Sequence, residues 1–222
     1  MKVLVFDAST IITLALNNLL WVLKPLRKQF KGKFLISKSV EKEIIERPLA
    51  SKKFKLEAMQ VLHVMEQGDL EVELKGQEDF VKIEELVNEI YIVRGRGIKI
   101  MHSGEIGALV LARNLKAEAL VVDERTTRML IEDPMRLAKT FSRKMHTPVK
   151  VDQKKLSEFK AWLGKMDVIR SVELGVIAYQ MGLFDKYVHV DKKDVLDAVL
   201  WAVRLRGCSV SDDEIKELVE KL

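Results

Sequence analysis

The chain has 222 residues, 48% of them hydrophobic and 32% charged, and a formal net charge of +5. This is the profile of a folded protein with one ample core, and it argues against a disordered or fibrous chain. No apolar run approaches the roughly 20 residues of a membrane span, no charged-then-apolar leader precedes the first strand, and one cysteine, Cys208, excludes an internal disulfide framework or a cysteine zinc site. The expectation is therefore a cytoplasmic protein with no membrane partner. Abundant Lys and Glu beside few Asn and Gln lean towards heat adaptation.

Short apolar runs alternate with stretches of helical period, the pattern of an α/β domain with a parallel sheet. Val3–Phe6 reads as the first strand. Ile11 to Phe30 has helical spacing that Pro25 must end or bend. Lys33–Ile36 is a second strand, after which Ser37 or Ser39 caps a helix that runs to Glu46 and stops at Pro48. Leu56–Gln67 is a helix closed by Gly68, Leu70–Leu74 a short strand, and Asp79–Ile92 an amphipathic stretch. "RGRG" at Arg94–Gly97 is a mobile turn, Ser103 caps a helix to Leu115, and Leu120–Val122 is a strand that ends on Asp123. Beyond it the pattern loosens: a helix over Thr126–Ile131, a basic stretch broken by Pro134 and Pro148, a last strand at Val168–Arg170 and a helix over Ser171–Met181. Two closing helices, Lys192–Leu205 and Ser211–Leu222, meet at Gly207, with "SDDE" as the cap of the second.

The positive charge is concentrated. Pro134 to Asp167 holds nine Lys/Arg against three acids, a net +6, so the remaining 29 basic and 30 acidic residues leave −1. Such a patch suits a phosphate backbone; a solvated, mobile, lysine-rich loop explains it equally well.

Four acids carry the chemical argument. In an open parallel sheet, ligands bind at the carboxyl ends of strands where the strand order reverses, and Asp7 and Asp123 each end a strand. Glu43 in "SKSVEKEI" lies three residues past Val40 and shares its inward face, unlike Glu41. Glu105 in "GEIGALVLA" follows Gly104 and precedes Gly107 and Ala108, small residues that keep the helix start slim. Carboxylates gathered in a low-dielectric crevice repel, and a hard divalent ion such as Mg²⁺ or Mn²⁺ removes the conflict. A water activated by that ion can attack a phosphodiester. Ser9 and Thr10 suit the task of orienting Asp7. Each acid also has a plain reading: Asp7 and Asp123 as helix caps, Glu43 and Glu105 as solvent-facing or first-turn charges.

"VLVFDAST", "SKSVEKEI" and "GEIGALVLARNLKAEALVVDERTTR", in that order, resemble the PIN domain, a metal-dependent nuclease family. The resemblance maps the family's acids onto Asp7, Glu43, Glu105 and Asp123, with Glu at the third place as in an archaeal and bacterial, VapC-like branch, and with Glu124 as a possible fifth acid. It covers Met1 to about Met129, and "RSVELGVIAYQMGLF" and "LDAVLWAVRLRGCSVSDDEIKELV" are similar to that branch's closing helices. It implies a three-layer α/β/α fold around a central parallel sheet: a PIN-like domain over 1–182 with a basic insertion at 134–167, and a helical extension over 183–222 packed on it. It also implies cleavage of single-stranded RNA with one or two Mg²⁺ or Mn²⁺ ions, often by dimers, in toxin–antitoxin pairs or in RNA processing. The long tail departs from the small toxin members.

Arg125 and Arg128 sit three apart on one helical face, and with Arg136, Lys139, Arg143 and Lys144 they form the expected RNA-binding set; the plainer reading is ordinary surface ions. Arg94 and Arg96 either touch phosphates or solubilise a loop. His63, His102, His146 and His189 lack a metal-ligand spacing, His102 alone being close to Glu105 in sequence. Trp21 and Trp201 read as packing residues; Trp162 can stack on a base, with burial the plainer reading. A haloacid-dehalogenase-type phosphatase also begins with a strand ending in Asp, but needs a second Asp where Ser9 stands. A non-catalytic RNA-binding or assembly module, with vestigial acids, is the remaining alternative.

Overall fold

The computed structural model describes residues 1–187 and 190–222; His189 therefore lies outside the described residues. Its strands are β1 (Val3–Phe6), β2 (Lys33–Ser37), β3 (Glu71–Glu73), β4 (Tyr91–Val93), β5 (Arg96–Gly97), β6 (Ala119–Val121), β7 (Lys150–Val151) and β8 (Val168–Ile169). Five of them form a parallel sheet in the order β3-β2-β1-β6-β8. From β1 the chain first works outward through β2 and β3, then returns to lay β6 on the other side of β1. The order thus reverses between β1 and β6, and that pair is the switch point of the sheet.

Helices cover both faces in a three-layer α/β/α arrangement. One layer centres on Ser103–Asn114, which lies on β1, β2 and β6 and packs against the helices at Lys38–Glu41 and Phe80–Val87. Residues Ile106 to Ala112 of this helix are all buried, as befits a helix enclosed on every side. The other layer includes Ala8–Leu16, Lys55–Glu66 and Ser171–Gln180, with Lys192–Leu205 packed on the last of these. Leu196, Leu200, Val203 and Ile215 of the closing helices join the same core cluster as Val5 and Phe6.

Several boundaries differ from the sequence expectation. The helical run after β1 breaks at Asn17–Leu19 and not at Pro25. Asn18 takes a left-handed φ of 53°, a conformation asparagine tolerates, and Asn17 Nδ2 donates to Thr13 O at 2.8 Å to close the helix end. Pro25 falls in the first turn of Leu23–Phe30, where its missing N–H has no partner to lose. Pro48 likewise does not stop its helix: Lys42–Glu46 widens into a π turn and the helix continues over Arg47–Leu49. Asp79–Ile92 is a helix only over Phe80–Val87, and its last residues enter β4. "RGRG" is the tip of the β4–β5 hairpin, with Arg94 and Gly95 at φ 50° and 79°.

The basic stretch is the largest departure. It holds two helices, Pro134–Met145 and Gln153–Leu163, separated by β7, which pairs antiparallel with β4. Leu137, Leu156, Phe159 and Leu163 are buried, and Tyr91 Oη donates to Pro134 O at 2.9 Å. The charges look outward from amphipathic helices whose inner faces carry apolar side chains, so this stretch is no solvated loop.

Candidate active site

Asp7 and Asp123 leave the carboxyl ends of the two strands at the switch point. Phe6 pairs with Val121, and the Asp7 N–H donates to Val121 O at 2.9 Å, so the two acids stand almost level. Both are buried, at 2% and 0% exposure. Ser9 ties them together: its Oγ donates to Asp7 Oδ2 at 2.5 Å and accepts the N–H groups of Asp123 at 3.1 Å and Glu124 at 3.3 Å. The Ser9 N–H also donates to Asp7 Oδ2, at 3.0 Å. Asp7 thus does cap the helix Ala8–Leu16, but with one oxygen only. Its Oδ1 is buried and has no partner, and the same holds for Asp123 Oδ2. Asp123 Oδ1 accepts the Ser171 N–H at 2.7 Å.

Glu43 and Glu105 approach from the neighbouring helices. Glu43 lies in the π turn, a distortion frequent at functional sites. Its carboxylate rests on Gly104, where a Cβ would come within 2.3 Å of Oε2. Three residues on, Gly107 fits against Ser39 and Ser37, which a Cβ would meet at 1.9 and 2.7 Å. These contacts seat the start of Ser103–Asn114 against the helix carrying Glu43. Glu105 then caps its own helix by accepting the His102 N–H at 2.8 Å.

The acids feel one another. Asp7 is pushed up to about 7, chiefly by burial; the Ser9 hydroxyl and amide oppose the rise, and the charges of Glu105 and Glu43 add to it. Glu43 is raised as well, by burial and then by Glu105, against the pull of Arg47 and His102. Among the described residues, no three His, Cys, Asp or Glu side chains form a ready-made cation cage. The donor set nevertheless fits a hard ion: it is all oxygen, it carries repelling charge, and two of its buried oxygens lack any proton donor. Mg²⁺ in particular keeps several waters and needs only one or two protein carboxylates.

A family model described as a PIN domain matches residues 3–133, more than half of the chain. The chain belongs to the PIN-domain family. No curated protein and no solved structure matches it. The match spans all four acids and ends where the basic stretch begins.

The other expected residues of this PIN domain take varied places. Glu124 caps the helix Arg125–Glu132, accepting the Thr127 N–H at 2.7 Å, so Glu124 and not Asp123 is the cap of that helix. Thr10 Oγ1 is buried without a partner. Arg125, Arg128 and Arg136 line a cleft of about 570 Å³ with Ser209, Ser211 and Glu214. The buried Arg128 Nε lies 3.9 Å from Glu132 Oε2, an ion-pair distance too long for a hydrogen bond. Arg136, Lys139, Arg143 and Lys144 are exposed on Pro134–Met145 and have no ion-pair partner among the described residues. Trp162 is held by Asp79, to which its Nε1 donates at 3.0 Å, and by Arg113 over its ring at 5.4 Å. Two residues that donate to Asp123 escape the sequence reading: Ser171, and Ser209, whose N–H donates to Asp123 O at 3.3 Å. Ser171 follows the last strand and is open to discovery on that ground; nothing local marks Ser209.

Proposed function

We propose that this PIN domain is a cytoplasmic, Mg²⁺- or Mn²⁺-dependent endoribonuclease acting on single-stranded RNA. The observation that carries the reading is the pair of buried, unpartnered carboxylate oxygens, Asp7 Oδ1 and Asp123 Oδ2, at adjacent strand ends. Asp7, Glu43, Glu105 and Asp123 would hold the ion. A divalent cation bound there supplies charge stabilisation and an acidified water for phosphodiester hydrolysis. The protein's own part is preorganisation: Ser9 locks the two strand ends, burial withdraws Asp7 and Asp123 from bulk solvent, and Gly104 leaves room for the Glu43 carboxylate. Arg125, Arg128 and Arg136 beside the Asp123 strand end, continued by Lys139, Arg143 and Lys144, would guide the phosphate backbone to the crevice. No single helix among the described residues is long and apolar enough to cross a membrane. A second copy, an antitoxin or an RNA-processing protein are the candidate protein partners.

The test is incubation with a mixed pool of single-stranded RNAs and Mn²⁺, beside an EDTA control and Asp7→Asn. Wild type should cut, EDTA should stop it, and Asp7→Asn should retain RNA without cutting it. Cleavage by Asp7→Asn at the wild-type rate would sink the assignment. The lack of a ready-made cation cage among the described residues favours one second reading, a non-catalytic RNA-binding module; wild type that retains RNA but never cuts it would select that reading.

A further inference from the structure

Phe54 combines three unusual properties. It takes φ 60° and ψ 20° at the N-cap of the helix Lys55–Glu66, in the left-handed region that a bulky side chain occupies only at a cost. It makes no capping bond, where Asn or Asp would both tolerate the backbone and cap the helix. The residue is also 41% exposed, with the Lys53 ammonium 4.9 Å from the centre of the ring. The local backbone is tied down: the Ala58 N–H donates to Phe54 O at 3.0 Å, and Ser51 Oγ donates to Lys53 O at 3.1 Å. Strain held in place beside a candidate site calls for a reason at the ring.

The ring borders a shallow recess whose other walls belong to the site's own elements. Ile11, Ile12 and Ala15 come from the helix that Asp7 caps, and Glu43 and Ile44 from the π turn. The recess therefore shares Glu43 with the acid crevice. At about 40 Å³ it holds little more than one water, so a nucleobase would lie across its mouth, against Phe54. Lys52, Lys53 and Lys55 bracket the ring, all exposed and without an ion-pair partner among the described residues. Glu43 and Glu57 line the recess and repel a phosphate from it, which leaves the ring to the base and the lysines to the adjoining phosphates. An exposed ring set among unpaired cations is how proteins hold single strands without regard to sequence. A protein partner would instead have to cover three unpaired lysines, a residue that interface cores exclude.

The sheet order gives this surface a direction. β2, which leads towards Glu43, and β6, which leads to Asp123, lie on opposite sides of β1. Phe54 thus adjoins the crevice on the Glu43 side, whereas Arg125 and Arg128 follow Asp123 on the other. We propose that Phe54, with Lys52, Lys53 and Lys55, is a stacking subsite for one unpaired base of a single-stranded RNA, so that the strand is gripped on both sides of the acids. The proposal takes its ligand from the endoribonuclease reading, but it requires only that RNA binds and not that it is cut.

The experiment follows a fluorescein-labelled single-stranded RNA of mixed sequence by anisotropy, in EDTA and over a range of salt. It compares full-length wild type, Phe54→Leu, Phe54→Trp and the triple variant K52Q/K53Q/K55Q, with melting temperatures and sedimentation alongside. Phe54→Leu keeps apolar bulk but no flat ring; it should bind about tenfold more weakly, as for one lost stack, with the salt slope and the melting temperature close to wild type. Phe54→Trp should restore the affinity, and its emission should fall on adding RNA. The triple variant should lower the slope of log K against log salt by about 2, at ~0.7 per phosphate contact. Wild-type affinity in Phe54→Leu, a loss that Phe54→Trp does not restore, or an unchanged slope in the triple variant overturns the proposal. So does a Phe54→Leu effect confined to the dissociation of a dimer, which would give the surface to a second copy. If wild type binds RNA with the Phe54 signature and cuts none in Mn²⁺, the nuclease reading fails and the subsite stands. If wild type cuts, and Phe54→Leu binds and cuts equally well, the nuclease reading stands and the subsite fails.

Discussion

Replacing Asp7 by Asn should make the metal-free protein more stable at alkaline pH and less stable in acid. The carboxyl rises from 3.8 to about 7 on folding, mainly through burial. It therefore holds its proton more tightly folded than unfolded, and stability falls as pH climbs through that interval. Below the unfolded value the penalty vanishes; above about 7 it is complete. At ~1.4 kcal/mol per pH unit the rise corresponds to roughly 4 kcal/mol. Asn is neutral throughout, and its Oδ1 can accept the two Ser9 bonds. Its amide group must then occupy the place of the unpartnered Asp7 Oδ1, leaving buried donors unsatisfied at a cost of about 1–3 kcal/mol at every pH. The difference between the two proteins should thus swing by roughly 4 kcal/mol between acid and alkaline solution and change sign on the way. Urea unfolding in EDTA from pH 3 to 8.5 measures it, and the raised Glu43 largely cancels because both proteins carry it. A difference that stays constant with pH would refute the reasoning. Mn²⁺ should stabilise wild type most where the penalty is complete, and Asp7→Asn far less. That pattern would mark the buried acid as free energy stored in the fold and released on cation binding.

Two glycines one turn apart should respond in opposite ways. Gly107→Ala drives a Cβ into Ser39 and Ser37 and breaks their 3.0 Å contact, which should lower stability by about 1–3 kcal/mol and the melting temperature by several degrees. Gly104→Ala meets only the far end of the Glu43 side chain, so it should barely move the melting temperature while weakening Mn²⁺ binding, read by calorimetry. Changing Arg136, Lys139, Arg143 and Lys144 to Gln should reduce the slope of log K for RNA against log salt by up to about 3, since each phosphate contact on a single strand contributes ~0.7. Mn²⁺ affinity should be unaffected in that variant. The Cys208 thiol, pushed up to about 12 by burial and by the Asp123 charge, should resist a disulfide reagent at pH 8 in the folded protein and react at once in guanidinium. Rapid labelling of the folded protein would contradict its burial.

What could be read from the sequence was whatever is encoded locally. An apolar run that ends in an acid marks a strand end, and an open parallel sheet puts its ligands at such ends, so the strand-end places of Asp7 and Asp123 are legible in the sequence. Glu43 and Glu105 were legible from helix periodicity and from the glycines beside them. The errors share a physical cause. Pro25 and Pro48 were given the force of helix breakers, but a first turn and a π turn each absorb a missing N–H. The stretch from Pro134 looked loose because its charges dominate its composition, whereas Leu137, Leu156 and Phe159, spaced around two helices, decide its structure by burial. The hydrogen bonds from Ser171 and Ser209 to Asp123 lay beyond reach for a stronger reason: they depend on how the chain returns after several elements, which no local pattern records. The PIN-domain match has the same reach as the local signals, ending at Asp133. The bonds that reach Asp123 from beyond that match are therefore the ones that only the tertiary structure discloses.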